Sequence, residues 1–202
     1  MIAEFGRLQI RLKFSFVAAV TLMLYFCDED VVLITFLASV IHESGHLVFM
    51  LIYKADFRKI ELGAFGICIE RNEISLLSYK KEVMIALGGI IFNSLCCLCF
   101  YPIGVRLRSF GLTVFAAVNL LVALINSLPS YFLDMGRAIK FLLLYFKQEE
   151  KADRIMNTVS SVTAILLTVF FVLYTAFAGF NISLLAVTTY LNLITFKGRV
   201  EK

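Results

Sequence analysis

The sequence predicts an all-α polytopic membrane protein with about six transmembrane helices and a small β-hairpin at the membrane surface. Hydrophobic residues make up 60% of its 202 positions, and only 17% of the residues are charged. The mean hydropathy is +0.89. A soluble domain of this size needs a much larger polar surface, so the solvent that suits this chain is a lipid bilayer. We expect one integral membrane domain over residues 1–202.

Six apolar stretches predict the transmembrane helices. A helix needs about 20 apolar residues to cross the hydrocarbon core, and about 17 is the lower limit. The first and last stretches are shorter than this limit. The first reaches the required length if residues 8–12 extend it, with Arg11 and Lys13 turned toward the headgroups. The predicted spans are 14–27, 31–53, 83–101, 110–128, 157–179 and 182–196.

The basic residues predict how these spans are oriented. If the N-terminus is cytoplasmic, all of the 19 lysines and arginines except Arg106 and Arg108 fall on the cytoplasmic side. The acidic run 28–30 then falls outside. The positive-inside rule therefore predicts a multi-pass protein of the plasma or inner membrane with both termini in the cytoplasm. The net charge of +4 is modest and does not indicate nucleic-acid binding.

The longest loop between the spans covers residues 54–82. Its segment 60–70 contains β-branched residues and glycines, and a polar turn follows at Arg71 and Asn72. This pattern is typical of a strand or a hairpin, which we place at the inner membrane surface. An irregular linker is the alternative interpretation.

A metal-binding motif lies inside the second predicted span. Residues 42–46 read H-E-x-x-H, and positions i and i+4 of a helix share one face, so His42 and His46 can reach one zinc ion. Glu43 is adjacent and is placed to accept a proton from water at the metal. The alternative is a hydrogen-bonded pair of core histidines. Polar groups at membrane depth are usually functional, and both histidines of the chain belong to this motif. We expect one zinc ion per chain.

A catalytic zinc site normally has three protein ligands, so a carboxylate or a thiolate must join the histidines. Asp134 is the main candidate because its segment 126–137 interrupts a helix with Pro129 and then Gly136. Broken backbone at membrane depth is tolerated where it lines a cavity or a water-accessible site. Judged from these residues alone, a surface ion pair with Arg137 explains Asp134 equally well. Weaker candidates are the thiols of Cys96, Cys97 and Cys99.

The two motifs together resemble those of the site-2 protease family of intramembrane zinc metalloproteases. That family pairs H-E-x-x-H with N-x-x-P-x-x-x-x-D-G, in which the aspartate is the third zinc ligand. Asn126, Pro129 and Asp134 fall on the matching positions of N-S-L-P-S-Y-F-L-D-M-G-R. The resemblance implies zinc binding by His42, His46 and Asp134, with Glu43 as the catalytic base.

Two further segments resemble parts of the same family. Residues 87–93 resemble its G-P-x-x-N stretch, and the segment containing Phe65 and Gly66 resembles the hairpin that holds substrate. The amides of Asn93 and Asn126 can hydrogen-bond the substrate backbone or the developing oxyanion, although both can instead pin neighbouring helices. Pro129 and Gly136 are expected to shape the backbone at the site.

The six-span layout resembles the sporulation-type branch of the family, without the nucleotide-sensing domain that its members often carry. The resemblance implies cleavage of a membrane-tethered protein near the cytoplasmic side, such as a sigma-factor precursor or an anti-sigma factor. An inhibitory membrane protein is a further expected partner. The chain departs from the family at Met135, where glycine is usual, and at Phe132, where the branch often has a second proline.

Two other functions compete with proteolysis. One is an inactive zinc-binding membrane scaffold, which the presence of Glu43 argues against because a structural site does not need this carboxylate. The other is a divalent-metal transporter, for which we expect inverted repeats and paired broken helices. The sequence contains one broken segment and no internal repeat.

Overall fold

In the computed structural model the chain divides into two compact units, Met1–Leu124 and Ile125–Lys202. The prediction of one membrane domain stays a prediction. The described residues are 2–5, 8–12, 28–55, 57–63, 66–71, 77–146 and 148–179, with scattered positions between 14 and 25 and between 184 and 195.

A four-stranded sheet belongs to the first unit. Its strands lie in the order β1-β2-β3-β4. Strands β1 and β2 pair antiparallel, β2 and β3 pair parallel, and β3 and β4 pair antiparallel. The strand bounds are Ile2–Phe5 for β1, Leu8–Leu12 for β2, Phe57–Gly63 for β3 and Gly66–Arg71 for β4.

Residues 8–12 form strand β2, so the prediction that they lengthen the first transmembrane helix is wrong. Apolar residues alternate with Gln9 and Arg11 in this segment, which is the period of a strand. The partner is distant in sequence: Ile10 lies opposite Ile60 in β3, and Leu12 lies opposite Leu62. One edge of β2 is therefore paired with a segment about 50 residues further on, and the other edge is paired with β1. The predicted span 14–27 lies mostly outside the described residues.

The β3–β4 pair lies in the loop where a strand or a hairpin was predicted. Ile60 is opposite Ile69, and Gly63 is opposite Gly66. Strands β1 and β2 extend this pair into a sheet larger than the predicted hairpin. A position at the membrane surface stays a prediction.

Helix α1 (Glu29–Ile52) and helix α2 (Tyr79–Leu107) pack against each other in the first unit. Their backbones come close at Gly45 and Gly88. A Cβ atom on either residue would collide with the carbonyl of the other. Small residues permit this approach between membrane helices. Helix α3 (Phe110–Asn126) follows and leads into the second unit.

The second unit contains helix α4 (Asp134–Phe146) and helix α5 (Glu149–Ala178), which pack against each other. Helix α4 begins at Asp134, after the broken segment that follows α3. An ion pair of 3.0 Å joins Lys140 of α4 to Asp153 of α5.

Three helices among the described residues are long and apolar enough to cross a bilayer: α1, α2 and α5. They contain 24, 29 and 30 residues, whereas the apolar helix α3 contains 17. Large apolar side chains such as Leu33, Leu98 and Leu166 are exposed on these three helices, as expected of surfaces that contact lipid. The chain is therefore a membrane protein. Six spans and the sidedness of the termini stay predictions, and the predicted span 182–196 lies mostly outside the described residues.

Candidate metal centre

The two histidines of the motif lie one turn apart on α1 and are buried, each with 6% of its surface exposed. The Nε2 atoms of His42 and His46 are 3.3 Å apart. The ring centroids are 5.0 Å apart, and the rings meet edge to face at 81°. The α-helical spacing thus brings two imidazole nitrogens to one point. At this distance the two Nε2 atoms can be joined either by a hydrogen bond or by a common metal ion.

A backbone carbonyl of α2 selects the tautomer of His46. The Nδ1 atom of His46 lies 2.7 Å from the carbonyl oxygen of Ile85. Because a carbonyl oxygen only accepts hydrogen bonds, Nδ1 carries the hydrogen and donates it. The Nε2 atom then keeps its lone pair for a metal ion, as in most metal-binding histidines.

The space beside both Nε2 atoms is kept open by Gly89 of α2. A Cβ atom on this residue would lie 2.6 Å from Nε2 of His42 and 2.7 Å from Nε2 of His46. Any larger side chain would therefore fill the place to which the two nitrogens point. Gly89 lies in the segment 87–93 that resembles the family stretch, but it was not predicted as a site residue, although the pair Gly88-Gly89 in an apolar helix is a visible signal.

Asp134 is the first residue of α4 and is buried, with 6% of its surface exposed. A carboxylate at a helix N-terminus interacts favourably with the helix dipole. Two residues later, a Cβ atom on Gly136 would collide with the carbonyl of Ser130, so only glycine fits at this position. The departure from the family pattern falls instead on Met135, which is half-buried. The glycine that the backbone requires is present.

His42, His46 and Asp134 are each buried, and each carries a donor atom of a kind that could bind a metal ion. Two imidazole nitrogens and a carboxylate oxygen are a known ligand set of catalytic zinc. The donor chemistry, the converging Nε2 atoms and the space beside Gly89 all fit such an ion.

Three other predicted site residues lie on α1, α2 and α3. Glu43 is half-buried on α1, and Asn126 is the half-buried last residue of α3. Asn93 is fully buried, and its Nδ2 atom donates to the carbonyl of Ala38 at 3.4 Å. This bond links α2 to α1, as the helix-pinning interpretation expects. The Oδ1 atom of Asn93 has no hydrogen-bond partner among the described residues.

The remaining predicted positions lie in the sheet and in the broken segment. Gly66 is the first residue of β4, and Phe65 lies outside the described residues. Pro129 is half-buried, and its carbonyl lies 3.4 Å from the hydroxyl of Thr163. The contact of Ser160 with the backbone N–H of Tyr131 was not predicted, because the two residues are 29 positions apart in the sequence.

The chain was compared with known proteins. No protein-family model matches it, and no curated protein matches it. Among solved structures, the site-2 protease from Methanocaldococcus jannaschii is similar, with a TM-score of 0.71 at 17% sequence identity. The similarity covers 98% of this chain and 94% of that one. The fold of this chain is therefore that of a site-2 protease.

Proposed function

Because the chain has a site-2 protease fold, we propose that it is an intramembrane zinc metalloprotease. The observation that carries this proposal is the buried histidine pair of the H-E-x-x-H motif, whose Nε2 atoms are 3.3 Å apart. A fold alone does not establish an activity, since one fold serves several functions. Ligand chemistry at the motif supports the activity independently of the fold.

The proposed reaction is hydrolysis of a peptide bond. In this proposal His42, His46 and Asp134 would hold the zinc ion, and the bound ion would polarise the scissile carbonyl and make water more acidic. The carboxylate of Glu43 accepts a proton from the attacking water and passes it to the nitrogen of the leaving amine. The hydrogen bond from His46 to Ile85 keeps the His46 ring in the tautomer that this role requires.

Substrate binding is assigned to the amides and to the sheet. In this proposal, Asn93 and Asn126 bind the substrate backbone or the developing oxyanion. Transmembrane substrates are helical, and their peptide bonds must be unwound before they can react. The backbone of β4, which begins at Gly66, is suited to hold an extended substrate by strand addition, because β4 ends the strand order in the described sheet.

The proposed substrate is a membrane-tethered protein, such as a sigma-factor precursor or an anti-sigma factor. His46 lies eight residues before Lys54, which corresponds to about 12 Å along a helix. If the basic residues near Lys54 are cytoplasmic, this depth supports cleavage in the cytoplasmic third of the bilayer. An inhibitory membrane protein is the proposed regulator.

The test of the function is Glu43→Gln, a change that keeps the size of the side chain but removes its ability to accept a proton. Zinc should stay bound, because Glu43 is not one of the assigned ligands. Cleavage of a membrane-tethered reporter should fall by about 10²–10⁴-fold, the usual cost of a lost general base. The measurements are bound zinc per chain and the rate of product formation in proteoliposomes.

The outcomes separate the competing functions. Undiminished cleavage by Glu43→Gln would show that another group acts as the base. If wild-type protein binds zinc but cleaves no membrane-tethered substrate, the chain is a zinc-binding scaffold. Loss of zinc in Glu43→Gln would make Glu43 a ligand and reopen the role of Asp134.

A further inference from the structure

The broken backbone before α4 is held by a serine in α5. The backbone N–H of Tyr131 donates to Oγ of Ser160 at 2.8 Å, and Ser160 is only 2% exposed. A buried hydroxyl in an apolar helix costs free energy unless it forms a hydrogen bond. A backbone N–H outside regular structure also needs an acceptor when water is excluded. The two groups satisfy each other.

The other end of the peptide group that Ser160 contacts, its carbonyl, is also held by neighbouring atoms. It joins the carbonyl of Ser130 to the N–H of Tyr131, and a peptide group is planar, so both ends turn together. The Ser130 carbonyl accepts the N–H of Leu133 at 2.9 Å. It also packs against Gly136, where a Cβ atom would collide with it. A rotation of this peptide group therefore displaces the first turn of α4, which begins at Asp134.

The side chain of Tyr131 is held as well. Lys140 of α4 donates to the Tyr131 hydroxyl at 2.6 Å, and its ammonium lies 4.8 Å from the centre of the ring. The same ammonium forms the ion pair with Asp153 of α5. Tyr131 is thus fixed through its backbone by Ser160 and through its hydroxyl by Lys140.

We propose that Ser160 is a positioning residue for the metal ligand Asp134. By accepting the Tyr131 N–H, Ser160 sets the orientation of the 130–131 peptide group and, through Gly136, the start of α4. Metal ligands must be held within about 0.5 Å of their productive position. This inference rests on the proposed function, because it takes Asp134 to be a zinc ligand.

Two substitutions of equal shape test the hydrogen bond. Ser160→Thr and Ser160→Val add the same volume to a buried position, but only threonine keeps the hydroxyl. Any steric cost is therefore common to both variants. Thr158→Val is the matched control on the same helix, because the Thr158 hydroxyl is exposed and donates to the carbonyl of Arg154 in its own helix.

The measurement is the zinc dissociation constant of the purified full chain, obtained by competition with a chelator. Ser160→Val should bind zinc about 10-fold or more weakly than Ser160→Thr, since loss of a group that supports a ligand typically costs 10–100-fold. Thr158→Val should bind zinc like the wild type. Equal zinc affinity in Ser160→Val and Ser160→Thr would overturn the inference.

A spectroscopic measurement separates positioning from general stability. In cobalt-substituted protein, the visible absorption bands report the ligand geometry of the metal. Ser160→Val should change these bands in the direction seen for Asp134→Asn, whereas Ser160→Thr should keep the wild-type bands. A lowered melting temperature with unchanged bands would show that Ser160 only stabilises the fold. If Ser160→Val does not fold, Ser160→Ala removes the acceptor without adding volume and is compared with the wild type.

Asp134→Asn in the same series separates the two proposals. If Asp134→Asn weakens zinc binding and Ser160→Val does not, only the inference about Ser160 fails. If Asp134→Asn binds zinc as tightly as the wild type, Asp134 is not a ligand, and the proposed site and the positioning role are both wrong.

Discussion

At the residue scale, two residues of α2 shape the surroundings of the histidine pair on α1. The carbonyl of Ile85 accepts the Nδ1–H of His46, and Gly89 leaves space beside both Nε2 atoms. The first contact fixes which ring nitrogen of His46 carries the hydrogen, and the second leaves space beside the Nε2 atoms of both histidines. Both features are contributed by the facing helix and suit a metal site.

Gly89→Ala should reduce bound zinc markedly, by about 10-fold or more in affinity, as expected when the support of a ligand is disturbed. The added methyl group would lie within 3 Å of both Nε2 atoms, so the imidazoles must move apart. The measurement is metal content of the purified protein by mass spectrometry.

Gly111→Ala is the control for this substitution. A Cβ atom on Gly111 meets nothing within 4 Å, so zinc content should stay at the wild-type level and alanine should favour helix α3. Wild-type zinc affinity in Gly89→Ala would show that the ion does not occupy the space beside Gly89.

At the scale of elements, the register of the β3–β4 pair provides a selective test of strand addition. Gly63 lies opposite Gly66 with two residues between them. In such a pair the residues that flank the turn exchange hydrogen bonds, and this pattern alternates along the strand. This pattern predicts that the backbone groups of Gly66 and Cys68 face β3 and that those of Ile67 and Ile69 face away from it.

Ile69→Pro should reduce substrate cleavage while zinc content stays at the wild-type level. Proline removes the N–H that an added strand would use, and it is tolerated on the open side of an edge strand. Ile69→Ala keeps this N–H and controls for the loss of the side chain. Equal cleavage rates in the two variants would argue against strand addition on β4.

Helices α4 and α5 are joined by the ion pair of Lys140 and Asp153. Burial of the Lys140 ammonium lowers its pKa, but the hydrogen bonds to Tyr131 and Asp153 outweigh this effect, so the pKa is raised overall. A raised pKa in the folded state means that the stabilisation is complete below the pKa of the unfolded chain. It is lost as the pH rises through the folded pKa, so the contact is intact at neutral pH.

Lys140→Met should lower the free energy of unfolding at pH 7 by up to about 1 kcal/mol, the upper range for a partly exposed ion pair. The difference from the wild type should shrink only at strongly alkaline pH, where the lysine loses its charge. Lys151→Met, at an exposed position on α5, is the control. Equal unfolding curves for Lys140→Met and the wild type at pH 7 would show that the pair adds nothing to stability.

At the scale of the whole molecule, the fold agrees with a solved site-2 protease over nearly the full chain despite 17% identity. Most positions on the lipid-facing surfaces of membrane helices need only be apolar, so their identities can change without changing the fold. The motif residues do not have this freedom, because each contributes a specific atom. This difference explains how two chains can share a fold at 17% identity.

The orientation of the chain is tested by topology reporters. A reporter inserted between Arg108 and Ser109, where α2 and α3 are connected, should read external. A reporter fused after Lys202 should read cytoplasmic, since the positive-inside rule assigns the basic segments to that side. The reverse pattern would place the metal site near the external surface and would contradict the proposed cytoplasmic release of product.

The sequence by itself determined the features that depend on local spacing and composition. Hydropathy indicated the apolar helices, the i and i+4 positions put His42 and His46 on one face, and the motif around Pro129 pointed to Asp134. These signals are readable because an α-helix fixes the relation between near neighbours. The Nε2 atoms of His42 and His46 accordingly lie close together, and Asp134 is buried.

Only the tertiary structure decided the features that depend on distant partners. The pairing of β2 with β3, the contact of His46 with Ile85 and the contact of Ser160 with Tyr131 each join residues far apart in the chain. No local period announces such partners, because backbone and side-chain hydrogen bonds can be satisfied by any segment that the fold brings near. For this reason the sequence indicated which residues could bind a metal ion, whereas the tertiary structure decided which neighbours orient and support them.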